Sequence, residues 1–170
     1  MLVAGGAALN ILGLIRRTTK DVDVIAIGSE QGSEVTFFSA HPLPKYLDNA
    51  ARQTANDLRI AQDWLNAGPA SLMDFGLPPG FSARASRRDY GELLTVFFLG
   101  REDHVCLKLY AAVDQGGGRH LADLLALEPK DSELLTAARW TMTHDPPPAF
   151  MSSLKELLRG IGHGNVAHQL

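Results

Sequence analysis

The first 27 residues constrain the fold more than any other part of the chain. Leu2-Val3-Ala4 is a short apolar run that ends at Gly5-Gly6, and residues 7–14 have the composition of a short helix. A basic stretch then leads into Asp21-Val22-Asp23-Val24-Ile25, whose alternation of polar and apolar residues is typical of a strand. This segment therefore predicts a strand, a glycine turn, a short helix and a second strand.

The two aspartates of the second strand indicate a cation site. Residues two positions apart on a strand point to the same face of the sheet, so the carboxylates of Asp21 and Asp23 converge and repel each other. Mg²⁺ is the natural partner, because it prefers carboxylate oxygens and completes its shell with water and phosphate. Gly5-Gly6 would offer backbone N–H groups to a phosphate, and the basic run Arg16-Arg17-Thr18-Thr19-Lys20 would add positive charge. The pattern indicates metal-assisted phosphoryl or nucleotidyl transfer, although each feature taken alone is a common structural one.

Composition narrows the class of protein. A chain of 170 residues fits one compact domain or a core with a helical appendage. The net charge is −3, so any nucleic-acid contact would use a local basic patch. Cys106 is the single cysteine, which excludes a disulfide within the chain. No run approaches the roughly 20 apolar residues of a membrane helix, and we expect a cytoplasmic protein without a membrane segment.

The order of elements predicts a mixed α+β fold. Strands and helices alternate over residues 1–100, which predicts a small mixed sheet flanked by helices, whereas residues 101–170 read as helices packed on that core. We further predict a turn at Gly28–Gly32, a hinge at Asp145–Pro148 and a frayed tail after Gly160.

The opening segment resembles the minimal nucleotidyltransferase superfamily, which shares its fold with DNA polymerase β. The residues that match its first motif are Gly5, Gly6, Asp21 and Asp23. More narrowly, residues 5–24 resemble the Arg-x-Thr-x-Asp-x-Asp version found in AbiEii-type toxins and in uncharacterised nucleotidyltransferase-like proteins grouped with them. Arg17 and Thr19 match that version.

The resemblance continues into the second half of the chain. The relatives carry an acid, a lysine on a helix, a basic residue and an Asp-Leu pair, and the matching residues are Asp103, Lys108, Arg119, His120 and Asp123. This resemblance implies that Lys108 and Arg119 contact nucleotide phosphate. The residues alone leave two alternatives open, because Lys108 also fits a surface lysine whose stem covers apolar neighbours, and Arg119 also fits an i,i+4 partner of Asp123.

The third acid of the motif has no match inside the strand where it is expected. The superfamily usually places it on a later strand that faces the aspartate pair. The apolar run at residues 93–99 is the candidate strand here, and it contains no acid. Glu92 at its edge and Asp103 beyond it are the candidates that the sequence offers.

The resemblance implies an Mg²⁺- or Mn²⁺-dependent enzyme that moves a nucleoside monophosphate from an NTP to an RNA (tRNA) or protein acceptor. Asp21, Asp23 and Lys108 would be catalytic, with the metal held by Asp21 and Asp23. The residues expected to bind substrate are Gly5, Gly6, Arg17, Thr19 and Arg119. The biological setting would be the toxin of a toxin–antitoxin or phage-defence pair, with a cognate antitoxin as a partner. The alternative is a catalytically degenerate nucleotidyltransferase fold that binds nucleotide or a protein without turnover.

Overall fold

A computed structural model of the chain describes residues 1–32, 34–144 and 147–170. These residues form a mixed α+β fold, which confirms the fold class predicted from the sequence. The chain folds as two compact units, Met1–Gly100 and Arg101–Leu170, called the first and the second unit below.

All the strands that the structure describes belong to a single sheet in the first unit. The strands are β1 (Leu2–Ala4), β2 (Val22–Gln31), β3 (Glu34–Ser39), β4 (Leu65–Asn66), β5 (Ser86–Tyr90) and β6 (Leu94–Phe98). Their order across the sheet is β3-β2-β1-β6-β5, and the short β4 also pairs with β2. The pairs β1–β6 and β2–β4 are parallel, and the remaining pairs are antiparallel. The sheet is therefore mixed, as predicted.

The first unit adds four helices within its described residues. They are α1 (Gly5–Ile11), α2 (Lys45–Leu58), α3 (Leu72–Phe75), which follows a 3-10 turn at Gly68–Ser71, and α4 (Phe81–Arg84). Trp64 connects α2 to the sheet. Its Nε1 donates to the carbonyl of Ala51 on α2 at 2.9 Å, and its own carbonyl accepts from the Val22 N–H at 2.6 Å. These bonds hold β4 beside the start of β2.

The core of the first unit fixes which face of β2 carries the aspartates. Apolar side chains from the sheet, α1 and α2 form one buried cluster: Val3, Ala8, Val24, Ala40, Ala51, Leu65, Ala70, Val96 and Phe98. Val22 packs against this cluster. Because side chains alternate along a strand, Asp21 and Asp23 point to the opposite face.

The prediction that a turn begins at Gly28 is wrong. β2 continues through Gly28 to Gln31, and Gly28 is a close-packing position within the strand. A Cβ at Gly28 would lie 3.0 Å from Val35 Cγ1 on β3. The glycine therefore admits a neighbouring side chain and does not end the strand.

The described part of the second unit consists of helices. They are α5 (Arg101–Asp114), α6 (Gly118–Ala126), α7 (Asp131–Met142), α8 (Pro148–Gly160) and α9 (Gly164–His168). The predicted frayed tail is wrong, because α9 buries Val166 and Ala167 and His163 Nδ1 lies 2.5 Å from Asp131 Oδ1. Of the predicted hinge, Asp145 and Pro146 lie outside the described residues. Within the ranges described, no helix is both long and apolar enough to cross a membrane.

Candidate functional site

The junction between β1 and α1 places a glycine against an aspartate. Ala4 is extended and Gly5 has a φ of +72°, a left-handed conformation that disfavours any residue with a Cβ. Asp23 is the register partner of Ala4, so its carboxylate reaches the turn. A Cβ at Gly5 would overlap that carboxylate, lying 3.3 Å from Asp23 Cγ. Backbone conformation and close approach thus both require glycine at this position.

Gly6 admits the two side chains that approach α1 from the following loop. A Cβ at Gly6 would lie 2.7 Å from Arg17 Nη2 and 3.1 Å from Thr19 Oγ1. The Arg17 guanidinium and the Thr19 hydroxyl therefore sit directly over the first turn of the helix. Arg17 is an exposed residue, and its Nη1 donates to the Thr18 carbonyl at 3.2 Å.

Thr19 orients one of the two carboxylates. Its Oγ1 lies 3.1 Å from Asp21 Oδ1 and 3.2 Å from the Asp21 carbonyl oxygen, and the single hydroxyl proton is shared between these acceptors. Asp21 and Asp23 are both half-buried. The carboxylates are thus partly shielded from water while they keep an open side.

The structure brings six of the sequence-predicted residues together at one end of β2. They are Gly5, Gly6, Arg17, Thr19, Asp21 and Asp23. The two glycines contribute in a way that the sequence did not indicate, because their lack of side chains admits Asp23, Arg17 and Thr19. α1 has only seven residues, so we assign no phosphate site to its N-terminus alone.

The other two predicted residues, Lys108 and Arg119, belong to the second unit. Lys108 on α5 is buried, and its Nζ lies 2.8 Å from Asp123 Oδ2 on α6. The interpretation of Lys108 as a surface lysine is therefore wrong. Arg119 is exposed near the start of α6, and Asp123 forms its ion pair with Lys108.

The residues beside Asp23 on the neighbouring strands are not acids. β6, the candidate strand for a third carboxylate, pairs with β1 and β5. The register partners of Asp23 are Ala4 on β1 and Asn66 on β4. The Oδ1 of Asn66 accepts the Gly68 N–H at 2.9 Å.

Glu92 and Asp103, the acids that the sequence offered, have other surroundings. Glu92 is in the turn between β5 and β6, where it lines a cavity of about 240 Å³ together with Met1, Glu30 and Leu94. Asp103 is fully buried on α5 in the second unit. Over residues 1–32, 34–144 and 147–170, no group of three or more His, Cys, Asp or Glu side chains is placed to hold a metal ion.

Sequence reasoning missed Asn66 because β4 has only two residues, too few to show a period. Apolar residues recur at helical spacing from Leu47 to Leu65, which predicts a helix to that point, whereas α2 ends at Leu58 and Arg59 takes a left-handed conformation with a φ of 54°. The signal that was present is the Asn-x-Gly sequence at residues 66–68, which is typical of an Asx turn.

The remaining carboxylate pair suits a hard divalent cation. Mg²⁺ is usually bound by one or two protein carboxylates, with water and substrate phosphate oxygens completing its shell. Asp21 and Asp23 supply two carboxylates on one face of a strand, and the Arg17 guanidinium nearby suits the phosphate charge. The donor set is therefore one that could hold a divalent cation.

Comparison of the chain with protein-family models, with curated proteins and with solved structures gave no match in any of the three. The resemblance to the nucleotidyltransferase superfamily therefore rests on the motif residues themselves.

Proposed function

We propose that this protein is a Mg²⁺-dependent nucleotidyltransferase that transfers a nucleoside monophosphate from an NTP to an RNA or protein acceptor. The observation that carries the proposal is the convergence of Asp23, Arg17 and the Thr19–Asp21 pair around Gly5-Gly6. Each group has a role in phosphate chemistry, and two glycines leave the space that their approach needs.

In the proposed reaction an acceptor hydroxyl attacks the α-phosphorus of the NTP and gives its proton to solvent water, the bond from the α-phosphorus to the bridging oxygen of the β-phosphate breaks, and pyrophosphate leaves. Asp21 and Asp23 would hold the Mg²⁺, which neutralises charge that develops on the phosphate oxygens. Arg17 would bind the phosphates through its guanidinium. Thr19 would keep the Asp21 carboxylate in one orientation, and the half-buried surroundings strengthen each of these electrostatic contacts.

The proposal places the chemistry in the first unit and does not rely on Lys108 or Arg119. The resemblance assigns phosphate contacts to both residues, and a cognate antitoxin to the protein as a whole. Mn²⁺ is expected to replace Mg²⁺, because both cations suit carboxylate and water ligands.

The test is transfer of a labelled nucleotide. The full chain is incubated with each of the four α-labelled NTPs, Mg²⁺ and either total tRNA or cell protein. We expect label on one acceptor class, and loss of at least about 100-fold in rate for Asp21→Asn/Asp23→Asn, since each carboxylate contributes to the metal site. Asp57→Asn/Asp63→Asn is the matched control, because it removes the same formal charge at two exposed positions of the same unit. Undiminished transfer by the Asp21/Asp23 variant would refute the site.

One observation favours the alternative of a degenerate enzyme. Asn66 stands beside Asp23 on β4, where an acid would add a third ligand or a base, and an amide supplies neither negative charge nor proton acceptance at neutral pH. For a degenerate enzyme we expect magnesium-dependent NTP binding that the Asp21→Asn/Asp23→Asn change abolishes, without label transfer to any acceptor. The same incubations, followed by equilibrium dialysis of each NTP, separate the two functions.

A further inference from the structure

Asn10 on the last turn of α1 forms two hydrogen bonds with a single residue of the following loop. Its Nδ2 donates to the Arg17 carbonyl at 2.7 Å, and its Oδ1 accepts the Arg17 N–H at 3.2 Å. The side-chain amide thus bonds both backbone groups of a residue seven positions along the chain, using one donor and one acceptor. Asn10 is not among the residues that match the nucleotidyltransferase motif.

The loop that Asn10 holds carries half of the candidate site. It spans residues 12–21 and has no regular secondary structure. Gly13, with a φ of +71°, reverses the chain after α1, and the Leu14 N–H returns to the Leu9 carbonyl at 2.9 Å. Beyond that reversal, the Asn10 bonds attach the loop to α1 at Arg17, two residues before Thr19.

We propose that Asn10 is a positioning residue for the phosphate-binding groups of this site. By fixing the backbone of Arg17, Asn10 holds the guanidinium over Gly6 and delivers Thr19 to the Asp21 carboxylate. The inference rests on the proposed function for its ligand, a magnesium–nucleoside triphosphate. The hydrogen bonds between Asn10 and the loop are independent of that ligand.

The chemistry of the side chain makes the idea specific. An amide carries a donor and an acceptor side by side, so it can satisfy both backbone groups of one residue. Aspartate has the same shape but keeps only the acceptor, and its charge repels the Arg17 carbonyl. Leucine has a similar shape and keeps neither. The series Asn, Asp, Leu at position 10 therefore removes the two bonds in steps with little change in volume.

The first measurement is hydrogen exchange of the Arg17 backbone amide in the full chain. We expect exchange to be about fivefold faster in Asn10→Leu, because the Arg17 N–H loses its acceptor, and less accelerated in Asn10→Asp, which keeps one. Asn56→Leu is the control, since it removes another side-chain bond of the first unit, the one from Gln62 Nε2 at 2.7 Å, from outside the loop. Unchanged Arg17 exchange in Asn10→Leu would overturn the inference.

The second measurement is the Kd of each of the four Mg²⁺–NTP complexes. We expect Asn10→Leu to weaken binding about tenfold, in the range known for outer-shell partners of a site. In an Arg17→Ala background the same change should have a smaller further effect, because the route through the guanidinium is removed and only the route through Thr19 and Asp21 remains. Equal weakening in both backgrounds would overturn the positioning role. The aspartate variant supplies the same comparison if Asn10→Leu fails to fold.

The two proposals fail in different ways. A wild-type chain that binds none of the four Mg²⁺–NTP complexes refutes the proposed function. Arg17 exchange in the Asn10 series still decides, on its own, whether Asn10 holds the loop.

Discussion

The candidate site of the first unit and the Lys108–Asp123 pair of the second unit both gather charged side chains, but in opposite ways. The site has half-buried carboxylates, an exposed arginine and two glycines that leave room. The pair is closed, with side-chain exposures of 8% for Lys108 and 2% for Asp123. Open charges can exchange one partner for a ligand, whereas charges buried with each other mainly determine whether the unit folds.

The largest effect is expected from breaking the closed pair. Either Lys108→Met or Asp123→Asn breaks a buried ion pair by removing one of its two charges, which costs about 3–5 kcal/mol in the free energy of unfolding. Urea denaturation measures this cost. Arg52→Met, which breaks an exposed pair with Asp48 at 3.0 Å, is the control and should cost less than about 1 kcal/mol.

The paired variant distinguishes a structural from a catalytic lysine. Lys108→Met/Asp123→Leu should recover much of the lost stability, because it removes both charges together. If Lys108 acts on nucleotide as the resemblance implies, this stable double variant still loses label transfer. Full transfer by the double variant would leave Lys108 a structural residue only.

The next effect concerns the glycine against Asp23. Gly5→Ala should destabilise the protein by about 1–2 kcal/mol through its left-handed φ, and by about 1–3 kcal/mol more through overlap with the carboxylate. Gly13→Ala is a matched control, because Gly13 has a φ of +71° and a Cβ there would meet nothing within 4 Å. The difference between the two variants in urea denaturation isolates the Asp23 contact. Equal costs would show that the close approach of Asp23 contributes nothing.

A smaller effect is expected from introducing an acid beside Asp23. Asn66→Asp adds a third carboxylate on the strand next to Asp23, and we expect about tenfold tighter Mn²⁺ binding because cation affinity rises with ligand charge. Isothermal titration measures the change, with Asn49→Asp on α2 as the control for added charge. Unchanged affinity would place residue 66 outside the cation site.

The smallest effect is expected at Glu133 on α7. The side chains of its ion pair with Arg101 are less exposed than a surface pair and less buried than the Lys108–Asp123 pair. Burial raises the pKa of Glu133, but hydrogen bonds from the Arg101 guanidinium and from the Lys130 N–H at 2.8 Å hold that pKa below its ordinary value. A lowered folded-state pKa means stability that is complete above the unfolded value of about 4.3 and lost as pH falls through the folded pKa. Glu133→Gln should therefore cost about 1 kcal/mol or less at pH 7, and the difference from wild type should shrink as the pH falls below the unfolded pKa and vanish below the folded pKa.

Urea denaturation at a series of pH values measures this dependence. Glu156→Gln on α8 removes the same formal charge at a position outside the Arg101–Glu133 pair and serves as the control. A stability difference between wild type and Glu133→Gln that stays constant with pH would contradict the assignment.

The contacts that the sequence predicted lie between residues close together in the chain, and the contacts that it missed lie between residues far apart in the chain. The Gly-Gly turn, the Asp-x-Asp strand and their approach lie within the first 23 residues, where strand alternation and glycine preference act locally. The proximity of Asn66 to Asp23 depends on the register of a two-residue strand, and the Lys108–Asp123 pair depends on how α5 meets α6. These contacts follow from tertiary packing, which no period in the sequence encodes. Asn10 was missed for a related reason, because a polar residue at a helix end is ordinary until its partner is seen.

The central position of β1 has a consequence for synthesis of the protein. Its parallel partner β6 supplies Phe97 and Phe98 opposite Leu2 and Val3, from the far end of the first unit. At about 5–20 residues per second, a ribosome needs several seconds to deliver β6 after β1 has emerged. During that interval β1 can pair only with β2, and the contacts that shape the candidate site lie within these first strands. The nascent chain therefore carries an unpaired edge of β1, and the arrival of residues 94–98 closes that edge.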